Sequence, residues 1–245
     1  MNAQGNTNER PAGSRRAKVL FYAGMLVLTA AFTALGIWQV QRLFWKLDLI
    51  ARVESRVHAA PVPAPTESEW PAVTARDDEY RHVTASGTYL DTETLVQAVT
   101  EYGAGFWVMT PLLQDDGTLI LVNRGFVPTD KKAPADRSHP TGSIQVTGLL
   151  RMSQPGGAFL RSNDAIAGRW YSRDVAAIAA TDGLSRVAPY FIDAQAGRSD
   201  GSLPIGGLTV IKFRNSHLIY ALTWGALALM SLTAFVYGVR AGKRS

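Results

Sequence analysis

Two long apolar stretches decide the fold, VLFYAGMLVLTAAFTALGIW at residues 19–38 and LIYALTWGALALMSLTAFVYGV at residues 218–239. Neither stretch contains a charged residue. As a helix, each would span roughly 30 Å, which is the thickness of the hydrocarbon core of a bilayer. A helix buried in a soluble protein seldom runs so far without a charge. The sequence therefore predicts two transmembrane helices, with residues 39–217 forming one folded domain between them.

The excess positive charge lies at the two ends of the chain rather than in the middle. Residues 1–18 and residues 240–245 each carry a net charge of +3, whereas residues 39–217 carry −1. Short segments rich in Lys and Arg stay on the cytoplasmic side of a membrane, so we expect both tails to be cytoplasmic and the middle domain to be external. The same distribution argues against nucleic-acid binding, although the sequence pI is about 9.6.

The middle domain has the pattern of a β-rich fold. Short alternating segments are separated by turn residues, which favours an antiparallel barrel or sandwich of the α+β class. Residues 114–117 predict a hairpin turn, and residues 172–180 predict one helix, with Ser172 as N-cap and Gly183 after its end. The predicted strands are residues 81–89, 94–100, 106–113, 118–126, 144–150, 190–193 and 209–213.

The connection between the first helix and this domain is expected to have two parts. Trp38, Gln41, Arg42 and Trp45 share one helical face, so the helix should continue beyond residue 38. Residues 60–71 contain four prolines and cannot be helical. We expect them to form an extended spacer.

Motifs for catalysis and covalent cofactors are missing from the sequence. It contains no Cys, which excludes disulfides, haem attachment through Cys and iron–sulfur ligation. The patterns GxSxG, HExxH and GxxxxGK are absent as well. His58, His82 and His139 are scattered and predict no metal cluster. We therefore expect a protein that is not an enzyme.

His217 stands apart, because it opens the second predicted helix after Asn215 and Ser216, either of which could cap the helix. The helix dipole and the neighbouring lipid both disfavour an imidazolium ion, so we expect a neutral ring able to bind a metal. A haem iron accepts such an axial imidazole. Ordinary anchoring of a membrane helix by interfacial residues remains the alternative interpretation. The residues that would flank a haem ring and its propionates are Tyr220, Trp224, Arg42, Lys46, Lys212 and Arg214.

Four segments resemble the Surfeit locus protein 1 family, in the family's order and around its layout of two membrane helices and one external domain. The resemblance covers nearly the whole chain. The segments are LGIWQVQRLFWK (35–46), LVNRGFVP (121–128), GRWYSRDVAAIA (168–179) and FRNSHLIYALTWGALA (213–228).

The resemblance implies an assembly factor for aa3-type cytochrome c oxidase, which binds haem a in transit and assists its insertion into subunit I. It maps the family's candidate iron ligand onto His217, and its helix-one motif onto Trp38, Gln39 and Arg42. The implied partners are subunit I, haem A synthase and membrane lipid. The predicted haem site therefore comprises His217, Tyr220, Trp224, Trp38, Arg42 and Arg214.

A scaffold that stabilises oxidase assembly intermediates without binding haem is the alternative function. In either case we expect a bacterial inner membrane protein with a periplasmic domain. Residues 1–18 include Glu9 and leave little room for an amphipathic transit peptide, which argues against a mitochondrial location.

Overall fold

The computed structural model describes residues 12–158, 160–197, 202–211, 213 and 215–244. The chain divides into two compact units. One lies within residues 1–50 and 212–245 and is helical, and the other lies within residues 51–211 and is built mainly of strands.

The helical unit contains the two helices of the described chain that are long and apolar enough to cross a membrane. They are α1 (Ala12–Val57) and the final helix α4 (His217–Arg244). The predicted continuation of the first helix beyond residue 38 is confirmed. Because proline restricts the residue before it, α1 ends shortly before Pro61.

The two helices pack antiparallel, because later residues of α1 contact earlier residues of α4. Facing positions on α1 are spaced by three, four or seven residues, as expected when one stripe of a helix contacts a partner. The contacting pairs are Tyr22 with Gly238, Thr29 with Ser231, Phe32 with Trp224, and Gln39 with His217.

The second unit is a closed β-barrel, which resolves the predicted choice between barrel and sandwich. Its sheet runs in the order β1-β2-β6-β7-β5-β4-β3 and closes where the end of β2 pairs with the end of β4. Two pairings, β1–β2 and β5–β7, are parallel. The elements are β1 (Val62–Pro63), α2 (Ala75–Asp78), β2 (His82–Tyr89), β3 (Thr94–Thr100), β4 (Gly103–Leu113), β5 (Leu119–Pro128), β6 (Ile144–Met152), α3 (Val175–Thr181) and β7 (Val187–Ala194).

Alternation along the strands divides the apolar side chains into two clusters. In β5, Ile120 and Val122 belong to the cluster that fills the barrel, together with the fully buried Tyr190. Leu121 lies between them and points to the other face, where it packs with Ile178 of α3. The period of two along a strand produces this division, and α3 covers the second face.

The predicted hairpin and the predicted helix are both present, with one error at the helix start. Residues 114–117 form the turn between β4 and β5, closed by Gly117 N–H donating to Gln114 O at 3.0 Å. The N-cap of α3 is Asp174, whose carboxylate accepts from Ala177 N–H, and not Ser172. The Ser172 hydroxyl accepts instead from Gly157 N–H and the Asn163 amide.

The extended spacer predicted for residues 60–71 is wrong, because this segment packs on the barrel. β1 pairs with β2, and a short 3-10 helix spans Trp70–Ala72. Pro65 O accepts from the Tyr190 hydroxyl at 2.7 Å and from the Trp70 indole at 3.1 Å. Proline lacks an N–H but keeps its carbonyl, so a proline-rich segment can still bond to a fold as an acceptor.

The prediction of a last strand at residues 209–213 is also wrong, because the described residues of this range form no strand. The chain here is held by single contacts instead of a ladder. Ile205 N–H and O both bond to Phe126, Gly207 N–H donates to Ala194 O, and the Thr209 hydroxyl donates to Asp193.

Candidate functional site

His217 is the first residue of α4, and its half-buried imidazole contacts α1. The ring Nδ1 lies 2.7 Å from Gln39 Oε1. The backbone N–H of His217 donates to Asn215 Oδ1 at 3.4 Å, while Ser216 O accepts from Tyr220 N–H at 3.3 Å, so Ser216 occupies the N-cap position and Asn215 bonds from the turn before it. Two bonds therefore hold the residue, one from its ring to the first helix and one from its backbone to the preceding turn.

The contact with Gln39 favours one tautomer of the His217 ring. An amide oxygen only accepts hydrogen bonds, so the contact fits a ring that carries a proton on Nδ1. Nε2 then keeps its lone pair, and none of the described residues donates a hydrogen bond to it. Histidines that bind metals commonly have this arrangement, with one nitrogen bonded to an oxygen and the other free for the metal.

Next to the Gln39–His217 pair, α1 and α4 make a close apolar contact. The Phe32 and Trp224 rings stack with their centroids 5.7 Å apart and an angle of 25° between the planes. A Cβ added to Gly36 would lie 3.7 Å from the Trp224 Cβ, so glycine allows the two backbones to approach there. Gln39 lies one turn farther along α1 and is 8% exposed.

The aromatic and cationic residues near these helix ends have different degrees of exposure. Trp38 and Tyr220 are 51% and 53% exposed. The exposed Arg42 places its guanidinium 4.5 Å from the Trp45 ring centroid. The Lys46 ammonium lies 5.0 Å from the Phe213 ring centroid. Lys212 and Arg214 lie outside the described residues.

The predicted haem-site residues are thus only partly grouped. Trp224 packs on Phe32 in the helix contact instead of forming an open aromatic wall. Gln39, which belongs to the helix-one motif but was not among the residues predicted for the haem site, is the one described side chain that bonds to the His217 ring. A signal for it existed, because an amide in an apolar helix needs a polar partner.

The sequence pattern of the SURF1 family matches residues 26–229, an interval that includes both Gln39 and His217. Surfeit locus protein 1 of Homo sapiens is 37% identical over 224 residues, covering 83% of this chain and 72% of the relative. The same protein of Rattus norvegicus is 36% identical over 222 residues, covering 83% and 70%. The SURF1-like protein of Monosiga brevicollis is 35% identical over 247 residues, covering 94% and 92%.

The chain belongs to the SURF1 family.

The NRGF motif of this SURF1-family chain has a structural role. Arg124 Nη1 donates to Glu93 Oε1 at 2.7 Å, and Arg137 Nε donates to Glu93 Oε2 at 2.8 Å. All three side chains are at most 8% exposed. Gly125 has φ +134°, and a Cβ there would lie 2.3 Å from Ile205 O, so the close backbone approach requires glycine.

A second buried charge cluster forms around Asp193 in the SURF1-family barrel. Its carboxylate accepts from Arg151 Nη1 at 3.0 Å, Arg173 Nη1 at 2.8 Å and Asn123 Nδ2 at 2.8 Å. Burial is the main cause that lowers the pKa of Arg173, and the positive charge of the nearby Arg151 also lowers it. The negative charge of Asp193 opposes this shift. These groups line a cavity of about 220 Å³. Asp193 also bonds to Thr209, so the cluster fastens the segment after β7.

The remaining histidines have no arrangement suited to a metal. His82 bonds through Nδ1 to Ala59 O and through Nε2 to Gln195, and His58 bonds to the backbone of Glu54. His139 Nε2 lies 3.5 Å from Asp91 Oδ1. No group of three or more metal-binding side chains occurs among the described residues. Trp170, in the GRWYSRD segment, is buried in the cluster beside α3, as expected for a packing residue.

Proposed function

We propose that this protein is a membrane-anchored assembly factor for aa3-type cytochrome c oxidase, which holds haem a as cargo and assists its insertion into subunit I. Membership of the SURF1 family supports the assembly role, given what the family resemblance implies. The observation that carries haem binding is the His217 ring, whose Nδ1 is bonded to Gln39 while no described residue bonds to Nε2.

The donor chemistry at His217 fits a haem iron. Haem iron takes an axial imidazole nitrogen in many proteins. His217 would supply Nε2. The half-buried ring is held by Gln39, and the backbone of the same residue is held by Asn215. Because one histidine provides one axial bond, the cargo would be held less firmly than a haem with two protein ligands, which suits transfer to a partner.

The neighbouring residues would bind the rest of the haem. Trp38 and Tyr220 expose large aromatic surfaces to the apolar surroundings of the helices, and a porphyrin ring would pack against such surfaces. Arg42 would pair with a propionate, because a guanidinium binds a carboxylate strongly outside bulk water. Arg214 would add a second cation. Trp224 would act indirectly, since its stack on Phe32 holds the two helices together.

The proposed location is the bacterial inner membrane, with both termini cytoplasmic and the barrel periplasmic. The net charges of +3 on residues 1–18 and on residues 240–245 support this orientation. His217 would then lie at the periplasmic boundary of the bilayer. Its partners there would be subunit I, haem A synthase and membrane lipid.

A protein-only scaffold is the second candidate function, and the barrel interior supports it. That interior is filled by side chains such as Leu112, Ile120 and Tyr190, all fully buried. The outer surface of the barrel exposes the apolar residues Val99 and Ile166. A filled barrel with apolar surface residues suits contact with another protein better than enclosure of a ligand.

Haem a content decides between the two candidates. Full-length protein purified from cells that make haem a should carry haem a, and His217→Ala should lose most of it. The matched control is His58→Ala, since His58 is exposed and bonds only within its own helix turn. Normal haem a binding by His217→Ala would contradict the ligand assignment. A colourless wild-type preparation, with oxidase assembly still dependent on the protein, would support the scaffold.

A further inference from the structure

The hydrogen bond between Gln39 and His217 joins two residues that are 178 positions apart in the sequence. Both belong to the helical unit, one on each helix. At 2.7 Å, the bond is at the short end for an N–H donor and an amide oxygen. A contact of this length sets both the position and the rotation of the imidazole ring.

We infer that Gln39 is a positioning residue, which holds His217 in the Nδ1–H tautomer and so directs the lone pair of Nε2 away from α1. This inference rests on the proposed function and adds a specific requirement to it. An imidazole with its proton on Nε2 offers no lone pair there, so the tautomer decides whether that nitrogen can bind iron.

Burial makes this hydrogen bond important for Gln39 as well. Gln39 is 8% exposed and lies on the face of α1 that meets α4. In an apolar surrounding an unpaired amide oxygen is costly, so Gln39 favours a ring that donates to it. The Phe32–Trp224 stack and the Gly36 contact fix the helix separation at which the two side chains meet.

The tautomer can be measured without haem. The full-length apo protein, labelled with ¹⁵N at its four histidines, gives separate signals for protonated and unprotonated ring nitrogens, and His217→Ala assigns the signals of that ring. We expect protonated Nδ1 and unprotonated Nε2 in the wild type. Gln39→Leu should move the proton to Nε2 in a large share of molecules, because leucine accepts no hydrogen bond.

Binding of haem a itself provides the second measurement. Gln39→Leu should weaken haem a binding by about 10- to 100-fold, the usual effect of removing the residue that orients a metal-binding histidine. Gln39→Glu keeps an oxygen acceptor of the same reach and should retain both the tautomer and most of the affinity. The matched control is Gln97→Leu, which removes an exposed amide in β3 of the barrel.

A check of helix pairing separates positioning from general damage. Thr29→Cys and Ser231→Cys replace two hydroxyls that lie 2.9 Å apart, and their cross-linking in the Gln39→Leu background shows that the helices still meet. Unchanged haem a affinity in Gln39→Leu, or Nε2–H as the main tautomer of the wild type, would overturn the role of Gln39 alone. A wild-type protein that binds no haem a would overturn the proposed function, and this inference with it.

Discussion

At the scale of single residues, Glu93 balances two buried positive charges in the barrel. It accepts hydrogen bonds from Arg124 and Arg137, and the three side chains are 8%, 5% and 2% exposed, respectively. Replacing Glu93 by Gln leaves two buried guanidinium groups without a counter-charge. Breaking a buried pair in this way costs about 3–5 kcal/mol, because the remaining charge is not solvated.

We therefore expect Glu93→Gln to lower the free energy of unfolding of the barrel by about 3 kcal/mol or more. The measurement is urea denaturation of the full-length protein in detergent, followed by the fluorescence of tryptophan. Asp164→Asn is the matched control, because the Arg169–Asp164 pair is solvent-exposed and should contribute little. Equal effects of the two substitutions would show that the Glu93 pairs do not stabilise the fold.

Some residue roles could be predicted from the sequence and others could not. Structural roles for Gly125 and Arg124 are predictable, because glycine in a strand suggests close backbone approach and a neighbouring arginine can form an ion pair, and the structure shows both. The partner of Arg124 could not be deduced, since Glu93 lies 31 positions earlier. Gln39 and His217 are still farther apart, and only the register of the two helices brings them together.

At the scale of elements, the contact between α1 and α4 depends on small residues. Gly36 faces Trp224 and Ala221, with room for a Cβ at 3.7 Å from the nearest side-chain atom and for little more. Leucine at this position would push the helices apart and disrupt the adjacent Phe32–Trp224 stack. Gly24 has nothing within 4 Å of its added Cβ, so leucine there should be tolerated.

We expect Gly36→Leu to abolish most of the cross-linking between Thr29→Cys and Ser231→Cys, while Gly24→Leu leaves it unchanged. The natural chain has no cysteine, so the introduced pair reacts without competition. The assay is oxidation of the full-length protein followed by proteolysis in the barrel, after which only cross-linked fragments remain joined. Efficient cross-linking in Gly36→Leu would show that the helices do not pack through this glycine.

Elements whose apolar residues recur with a clear period were the most predictable part of the fold. The strand predicted at residues 94–100 matches β3, and the predicted hairpin joins β4 to β5. Errors fell where a side-chain hydrogen bond held or capped the chain in a way that local sequence patterns do not reveal. Asp193 bonds to Thr209, which lies in a segment that was predicted to be a strand. Asp174 caps α3, for which Ser172 was the predicted N-cap.

At the scale of the whole molecule, barrel closure was beyond local reasoning. Alternation predicts that a segment forms a strand and which residues share a face, but it does not name the neighbouring strand. β5 and β7 pair in parallel, although β6 and α3 lie between them in the sequence. The barrel closes through only two residue pairs between β2 and β4. Such contacts join distant parts of the chain, so the sequence left barrel and sandwich as equal alternatives.

The orientation in the membrane can be tested with single cysteines in this cysteine-free chain. Because the positive tails should remain in the cytoplasm, a membrane-impermeant maleimide should label Ile166→Cys and leave Ser245→Cys unlabelled in cells with a permeabilised outer membrane. Ile166 is fully exposed on the barrel, so burial cannot prevent its reaction. Lysis should make Ser245→Cys reactive, which controls for its accessibility. The opposite labelling pattern would place His217 at the cytoplasmic face and remove the basis for haem transfer on the periplasmic side.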